Sequence, residues 1–228
     1  MKILVTGGTG YIGSHTAVEL LNSGYEIVII DNFSNSKSDV LDKIKLITNK
    51  DFKFYEGDVC NKDLLRKIFS ENKIDAVIHF AGYKAVGESV KKPIMYYRNN
   101  IDSTLSLIEV MNEFNCKKIV FSSSATVYGN PTTLPIKEDF PLSTTNPYGS
   151  TKLMIENILR DLYISDNDWS IALLRYFNPI GAHISGLIGE NPKGIPNNLM
   201  PYIVKVANKE LNELSIFGND YDTKDGTG

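Results

Sequence analysis

From the first residue, short apolar runs alternate with stretches in which apolar residues recur every three or four positions. Ile3-Leu4-Val5, Ile27-Val28-Ile29-Ile30, Phe52-Lys53-Phe54-Tyr55, Ala76-Val77-Ile78, Ile119-Val120-Phe121 and Ile171-Ala172-Leu173-Leu174 read as strands. Several are apolar throughout, as expected for a parallel sheet covered on both faces. After the first run, Gly13, Ala17, Leu20, Leu21 and Gly24 fall on one helical face, with Gly24 where a C-terminal cap is wanted. Further helices are expected over 61–71, over 93–115 opened by Pro93, and over 147–164, where Ile155, Ile158, Leu159 and Leu162 face one way. Strands alternating with helices predict an α/β fold, a doubly wound parallel sheet of the Rossmann type.

Two long loops interrupt this rhythm: residues 123–147, rich in Ser, Thr and Pro, and residues 177–198, rich in Gly, Pro and Asn. Long loops in compact domains are usually functional, and in open α/β sheets ligands bind beyond the carboxyl ends of the strands, which both loops follow. The expected organisation is a nucleotide-binding domain over 1–176 and the incomplete start of a substrate-binding region over 177–228. The closing residues Asp225-Gly226-Thr227-Gly228 are polar and glycine-rich. They suggest a natural product that continues or a shortened gene, with the smaller substrate domain largely missing.

Composition narrows the class. The chain has 228 residues, 42% hydrophobic and 22% charged, with net charge -3, so it can form a substantial core and offers no basic surface for nucleic acid. No apolar run approaches the roughly 18 residues that span a bilayer. Met1 to Gly8 reads as a strand entering a glycine loop, not as a signal peptide. Cys60 and Cys116 lack metal-ligand or disulfide spacing, which fits a reduced cytoplasm. His15, His79 and His183 are scattered, so no metal site is expected. Asn32-Phe33-Ser34 matches a glycosylation acceptor by chance, in a chain without a secretory signal.

Gly7, Gly10 and Gly13 form G-x-x-G-x-x-G between the first strand and the first helix. Glycines there make the sharp turn, let backbone approach a pyrophosphate and seat the helix on the sheet, while the helix N-terminus attracts the anion. Asp31 stands at the end of the next strand, 21 residues after Gly10. A carboxylate there accepts the hydroxyls of an unphosphorylated ribose and repels a 2′-phosphate, favouring NAD over NADP. Asp58, in Gly57-Asp58-Val59 after the third strand, either accepts the adenine amino group or caps the helix over 61–71.

Tyr148 and Lys152 lie four residues apart at the start of a helix, hence on one face. A neighbouring ammonium and a positive nicotinamide would lower the tyrosine pKa enough to make it a base. Ser122-Ser123-Ser124, at the end of the fifth strand, offers a hydroxyl to bridge substrate and tyrosine, or to bond its own loop backbone.

In this order these motifs resemble the extended short-chain dehydrogenase/reductase superfamily. The connecting sequence resembles the UDP-glucose 4-epimerase family over essentially the whole chain. The similarity is carried by Thr6 to His15, His79 to Gly82, Lys84 to Val90, Phe121 to Gly129, Leu174 to Pro179 and Gly194 to Pro201. The resemblance implies that Tyr148 is the base, Lys152 its electrostatic partner and ribose ligand, and Ser124 the hydroxyl assisting proton movement. It implies NAD contacts from Gly7, Gly10, Tyr11, Ile12, Gly13, Asp31, Asn32, Asp58, Val59, Phe80, Lys84, Asn99, Ser122, Tyr148, Lys152 and Tyr176. The UDP-sugar side would be lined by Lys84, Ser124, Tyr148, Phe177, Asn178, Asn198 and Leu199. The reaction implied is NAD-dependent inversion at C4 of UDP-glucose or UDP-galactose through a 4-keto sugar. A homodimer built on the helices over 93–115 and 147–164 is implied as well. A 4,6-dehydratase would need carboxylates beside the strand-end hydroxyl, where this chain has Ser124-Ala125-Thr126. The rival from another class is a non-catalytic NAD-binding fragment lacking the UDP-sugar domain.

Overall fold

The computed structural model describes residues 1–193, 196 and 198–227. Gly194, Ile195 and Asn197, three residues of the Gly194 to Pro201 block, lie outside the described residues. Six parallel strands form one sheet: β1 (Lys2–Thr6), β2 (Glu26–Asp31), β3 (Lys53–Glu56), β4 (Ala76–His79), β5 (Lys118–Ser124) and β6 (Ser170–Tyr176). Their order is β3-β2-β1-β4-β5-β6, so chain direction across the sheet reverses between β1 and β4. That reversal leaves a crevice at the carboxyl edge of β1 and β4, the usual seat of a dinucleotide.

Apolar side chains leave the central strands alternately to the two faces. Ile3, Val5, Ile27 and Ile29 pack on one face against Ala17, Val18 and Leu21 of α1 (Tyr11–Asn22) and Ile44 of α2 (Asp39–Thr48). Leu4, Val28, Ile30, Val77, Ile119 and Phe121 pack on the other. There they meet α3 (Lys62–Glu71), α5 (Pro93–Glu113) and α6 (Pro147–Ser165). Full burial of each such side chain contributes about 1.5–3 kcal/mol, so both faces act as core, which is why these strands read as apolar runs. Between them come α4 (Val86–Lys91) and, late in the chain, α7 (Leu199–Ala207).

The expected elements are present, with two differences. The strand expected over 119–121 continues through the polar Ser122-Ser123-Ser124, and a 3-10 turn (Ala125–Tyr128) follows, so the loop begins after residue 128. The strand continues because β6 pairs with all three serines, Ser122 with Leu174, Ser123 with Arg175 and Ser124 with Tyr176. Helices α2, α4 and α7 were not foreseen. Gly24 ends α1 as expected, at φ +85° with its N–H on the Leu21 carbonyl.

Candidate active site

The carboxyl ends of the strands open onto one cleft of about 580 Å³. Gly7, Gly10, Tyr11, Ile12 and Gly13 line it from the glycine loop, and Asp31, Asn32, Asp58 and Val59 from the ends of β2 and β3. Phe80 and Lys84 enter after β4, Asn99 from α5, Ser122 and Ser124 from β5, and Tyr148 and Lys152 from α6. Tyr176, Phe177, Asn178 and Asn198 close the far side. Leu199 is not brought in: it opens α7 with its side chain 61% exposed, outside the cleft lining.

The glycine loop is shaped by close contacts. Gly7 has φ +68°, and a Cβ there would stand 2.8 Å from the Ala81 nitrogen. A Cβ on Gly13 would come within 2.3 Å of the Gly7 carbonyl oxygen, so the loop and α1 touch backbone to backbone. Gly10 is the N-cap of α1, with no side-chain cap bond and no acid in the first turn. The first-turn N–H groups therefore lack a side-chain acceptor, and the positive end of the helix faces the cleft, a cradle suited to a phosphate pair.

Asp31 has two duties. Its carboxylate accepts the Thr9 N–H at 3.1 Å, the Phe33 N–H at 2.9 Å and the Ser36 hydroxyl at 3.3 Å, while the Thr9 and Ser36 hydroxyls share a 2.6 Å bond. It latches the glycine loop to the loop after β2 and still borders the cleft. That latch could not be read from spacing, since Ser36 sits in an Asn/Ser-rich stretch with no periodicity. For Asp58, the helix-cap reading falls: α3 is capped by Asn61, whose side chain accepts the Leu64 N–H at 3.1 Å. Asp58 accepts its local Cys60 N–H, at 2.8 Å, and faces the cleft.

The side chains of Tyr148 and Lys152 share one face of α6, opposite the end of β5. Lys152 donates to the Ser122 carbonyl at 2.7 Å and lies over the rings of Phe121 and Tyr148, at 4.8 and 5.9 Å. Burial pushes its ammonium down to about 8, so it keeps its proton at neutral pH. In the protein alone the Tyr148 phenol is raised, because burial outweighs the lowering effect of the nearby Ser124 hydroxyl. Ser124 Oγ in turn accepts from the Thr126 backbone N–H at 3.2 Å and hydroxyl at 3.0 Å.

On the far side, Glu190 was not anticipated. It pairs with Lys84 at 3.4 Å and accepts from the Asn198 side-chain amide, tying the loop over 177–198 to the loop after β4. Nothing in that loop's composition distinguishes Glu190 from a solvated acid.

Residues 3–227 match the model of the NAD dependent epimerase/dehydratase family. The chain belongs to that family. All of the chain aligns with UDP-glucose 4-epimerases of Bacillus subtilis, at 66% identity, and Haemophilus influenzae, at 60%. It covers 67% and 68% of their lengths, so it spans about two thirds of these relatives. Among solved members of the family, UDP-glucose 4-epimerase from Bifidobacterium longum in complex with NAD+ and UDP superposes with TM-score 0.98 at 58% identity. That match takes in all of this chain and 68% of the other. The family thus accounts for the six-stranded order and for a cleft at the strand reversal.

Proposed function

We propose that this chain binds NAD and carries the chemistry of a UDP-glucose/UDP-galactose 4-epimerase. The observation that carries the reading is the meeting of Ser124, Tyr148 and Lys152 in the cleft that also holds the glycine loop and Asp31. Residues 1–176 are the NAD-binding domain and 177–228 begin the substrate side. The bare N–H groups at the start of α1 would take the pyrophosphate, Asp31 the adenosine ribose and Asp58 the adenine amino group. Tyr11, Ile12, Asn32, Val59, Phe80, Asn99, Ser122 and Tyr176 would complete the NAD contacts, and Lys152 would hold the nicotinamide ribose.

Bound NAD supplies a reversible two-electron acceptor beside C4 of the sugar. Tyr148 takes the proton of the 4-hydroxyl through or beside Ser124 and returns it after the sugar has turned. Burial raises the phenol in the protein alone, and a positive ring lodged beside it would favour the phenolate. Lys84, Phe177, Asn178 and Asn198 are assigned to the UDP-sugar, and Leu199, outside the cleft, is not. Beside Ser124 the turn carries Ala125 and Thr126 and no carboxylate, which favours epimerisation over dehydration.

The same reading includes a homodimer through α5 and α6, which pack together and leave Ile94 and Met154 exposed, and a cytoplasmic location, in keeping with two free thiols. Among the described residues no helix is long and apolar enough to cross a membrane. Sedimentation of the purified chain tests the dimer.

The test of function is an absorbance scan of the purified chain for bound nicotinamide, followed by UDP-galactose. Reduced nicotinamide should form in the wild type and fall by a factor of about 10²–10⁴ in Tyr148→Phe. A chain that takes no NAD, or a Tyr148→Phe variant that transfers as well as wild type, would overturn the proposal.

A further inference from the structure

Glu156 sits one helical turn beyond Lys152 on α6, with 0% exposure. Its carboxylate accepts the Ser123 hydroxyl at 2.5 Å, Arg175 Nε at 3.0 Å, Arg175 Nη2 at 2.8 Å and Arg160 Nη2 at 2.8 Å. Arg175 also reaches the Tyr128 hydroxyl at 2.9 Å and the Glu138 carbonyl at 3.1 Å. A buried ion pair is a weak source of stability, because desolvation cancels much of the attraction. Its geometry is the informative part. Tyr148, Lys152 and Glu156, spaced i, i+4, i+8 on one face of α6, meet three consecutive serines of β5. Lys152 bonds to the Ser122 carbonyl and Glu156 to the Ser123 hydroxyl, and Tyr148 lines the cleft together with Ser124.

We propose that Glu156 is a positioning residue of this site: tied to Ser123 on β5 and Arg175 on β6, it fixes the register in which α6 presents Tyr148 and Lys152 to the strand-end serines. The inference rests on the roles given above to those two residues. Arg175 precedes Tyr176 on β6, so the same clamp fixes the strand that borders the nicotinamide end. The charged or titratable groups around the stripe are Arg160 on α6, Arg175 and Tyr176 on β6, Tyr128 on the 3-10 turn and His79 on β4. Burial pushes His79 down to about 3, so it is neutral throughout the range of the test.

Glu156→Gln keeps the volume but loses the charge that two guanidinium groups share, and Ser123→Ala cuts only the link to β5. Either change should shift Tyr148 relative to Ser124, whose hydroxyl lowers the phenol against burial. The apparent pKa of Tyr148 should rise by about one unit, a tenfold loss of phenolate at neutral pH. It is read as tyrosinate absorbance, less that of Tyr148→Phe, with and without NAD. Formation of reduced nicotinamide from UDP-galactose at neutral pH should fall about tenfold in parallel, by the same loss of phenolate. A lower melting temperature with the Tyr148 titration unmoved would make Glu156 merely structural and overturn the inference. If Glu156→Gln does not fold, Ser123→Ala decides by the same two outcomes. A titration that shifts as expected in a chain that forms no reduced nicotinamide even as wild type would uphold the positioning role and overturn the epimerase reading alone.

Discussion

At the scale of single residues, the site is built from side chains placed at a cost. Lys152 is buried with its ammonium depressed from 10.5 to about 8. Below about 8 the amine is protonated in both folded and unfolded chains, and the folded state carries the full desolvation cost, on the order of 3 kcal/mol. As pH rises from there toward 10.5 the folded chain gives up its proton first and the cost disappears. Lys152→Met should therefore melt higher than wild type at neutral pH, by about 1–3 kcal/mol after loss of the bond to Ser122. The advantage should shrink steadily in melts taken at increasing alkalinity, while hydride transfer is lost at every pH. Asp31 gives a second test, because it latches the loop and is also the residue proposed to hold the ribose. In Asp31→Ala, NAD affinity by titration should fall at least about tenfold, since a charge-assisted acceptor and the Thr9 latch go together. Affinity for NADP should fall less, because the repulsion of a 2′-phosphate is removed at the same time.

At the scale of elements, the residue proposed as the base sits where a helix begins. Asn146 caps α6 by accepting the Gly149 N–H at 2.8 Å, and Tyr148 is the second residue of the turn so capped. Asn146→Ala should cost about 1 kcal/mol in urea unfolding and should lower hydride transfer, because the frayed turn carries the base. Asn61→Ala removes an equivalent cap from α3 and should cost a similar amount while transfer stays at wild-type level. Most of this architecture was legible in the chain. The strands declared themselves because both sheet faces are core, and α1, α5 and α6 because each buries one stripe. Serines 122–124 did not read as strand, since polar residues continue it only through pairing with β6 and the bond from Ser123 to Glu156. Glu156 itself looks like half of a surface i, i+4 pair with Arg160, and its packing against Ser123 of β5 and Arg175 of β6 is not visible in the sequence. Helix α4 spans only 6 residues, too few for periodicity to register, and α2, though Val40, Leu41, Ile44 and Ile47 share a face, follows a Ser/Asn-rich loop that masks its start.

At the scale of the whole molecule, the two sides of the cleft are unequally supported. The NAD side is walled by buried strands and helices, whereas several apolar side chains of the segment after β6 stand exposed. Phe177 is 61% exposed, Ile184 98% and Phe217 85%. Leu174, on edge strand β6, is 42% exposed although its neighbours on the inner strands are core. Apolar surface of this kind is normally covered, and relatives of this chain are about half as long again. Retention of a 4-keto sugar while it turns requires walls on both sides, and positioning by such walls accounts for large rate factors. The chain of 228 residues should thus hold NAD firmly yet interconvert UDP-glucose and UDP-galactose weakly or not at all. Fusing to it the remaining third of a relative 66% identical should raise turnover at least about a hundredfold. Binding of a hydrophobic dye should fall in the same fusion, with NAD affinity changed little. Turnover by the unfused chain equal to that of the fusion would show instead that residues 177–228 already complete the sugar side, and that the exposed side chains serve another contact.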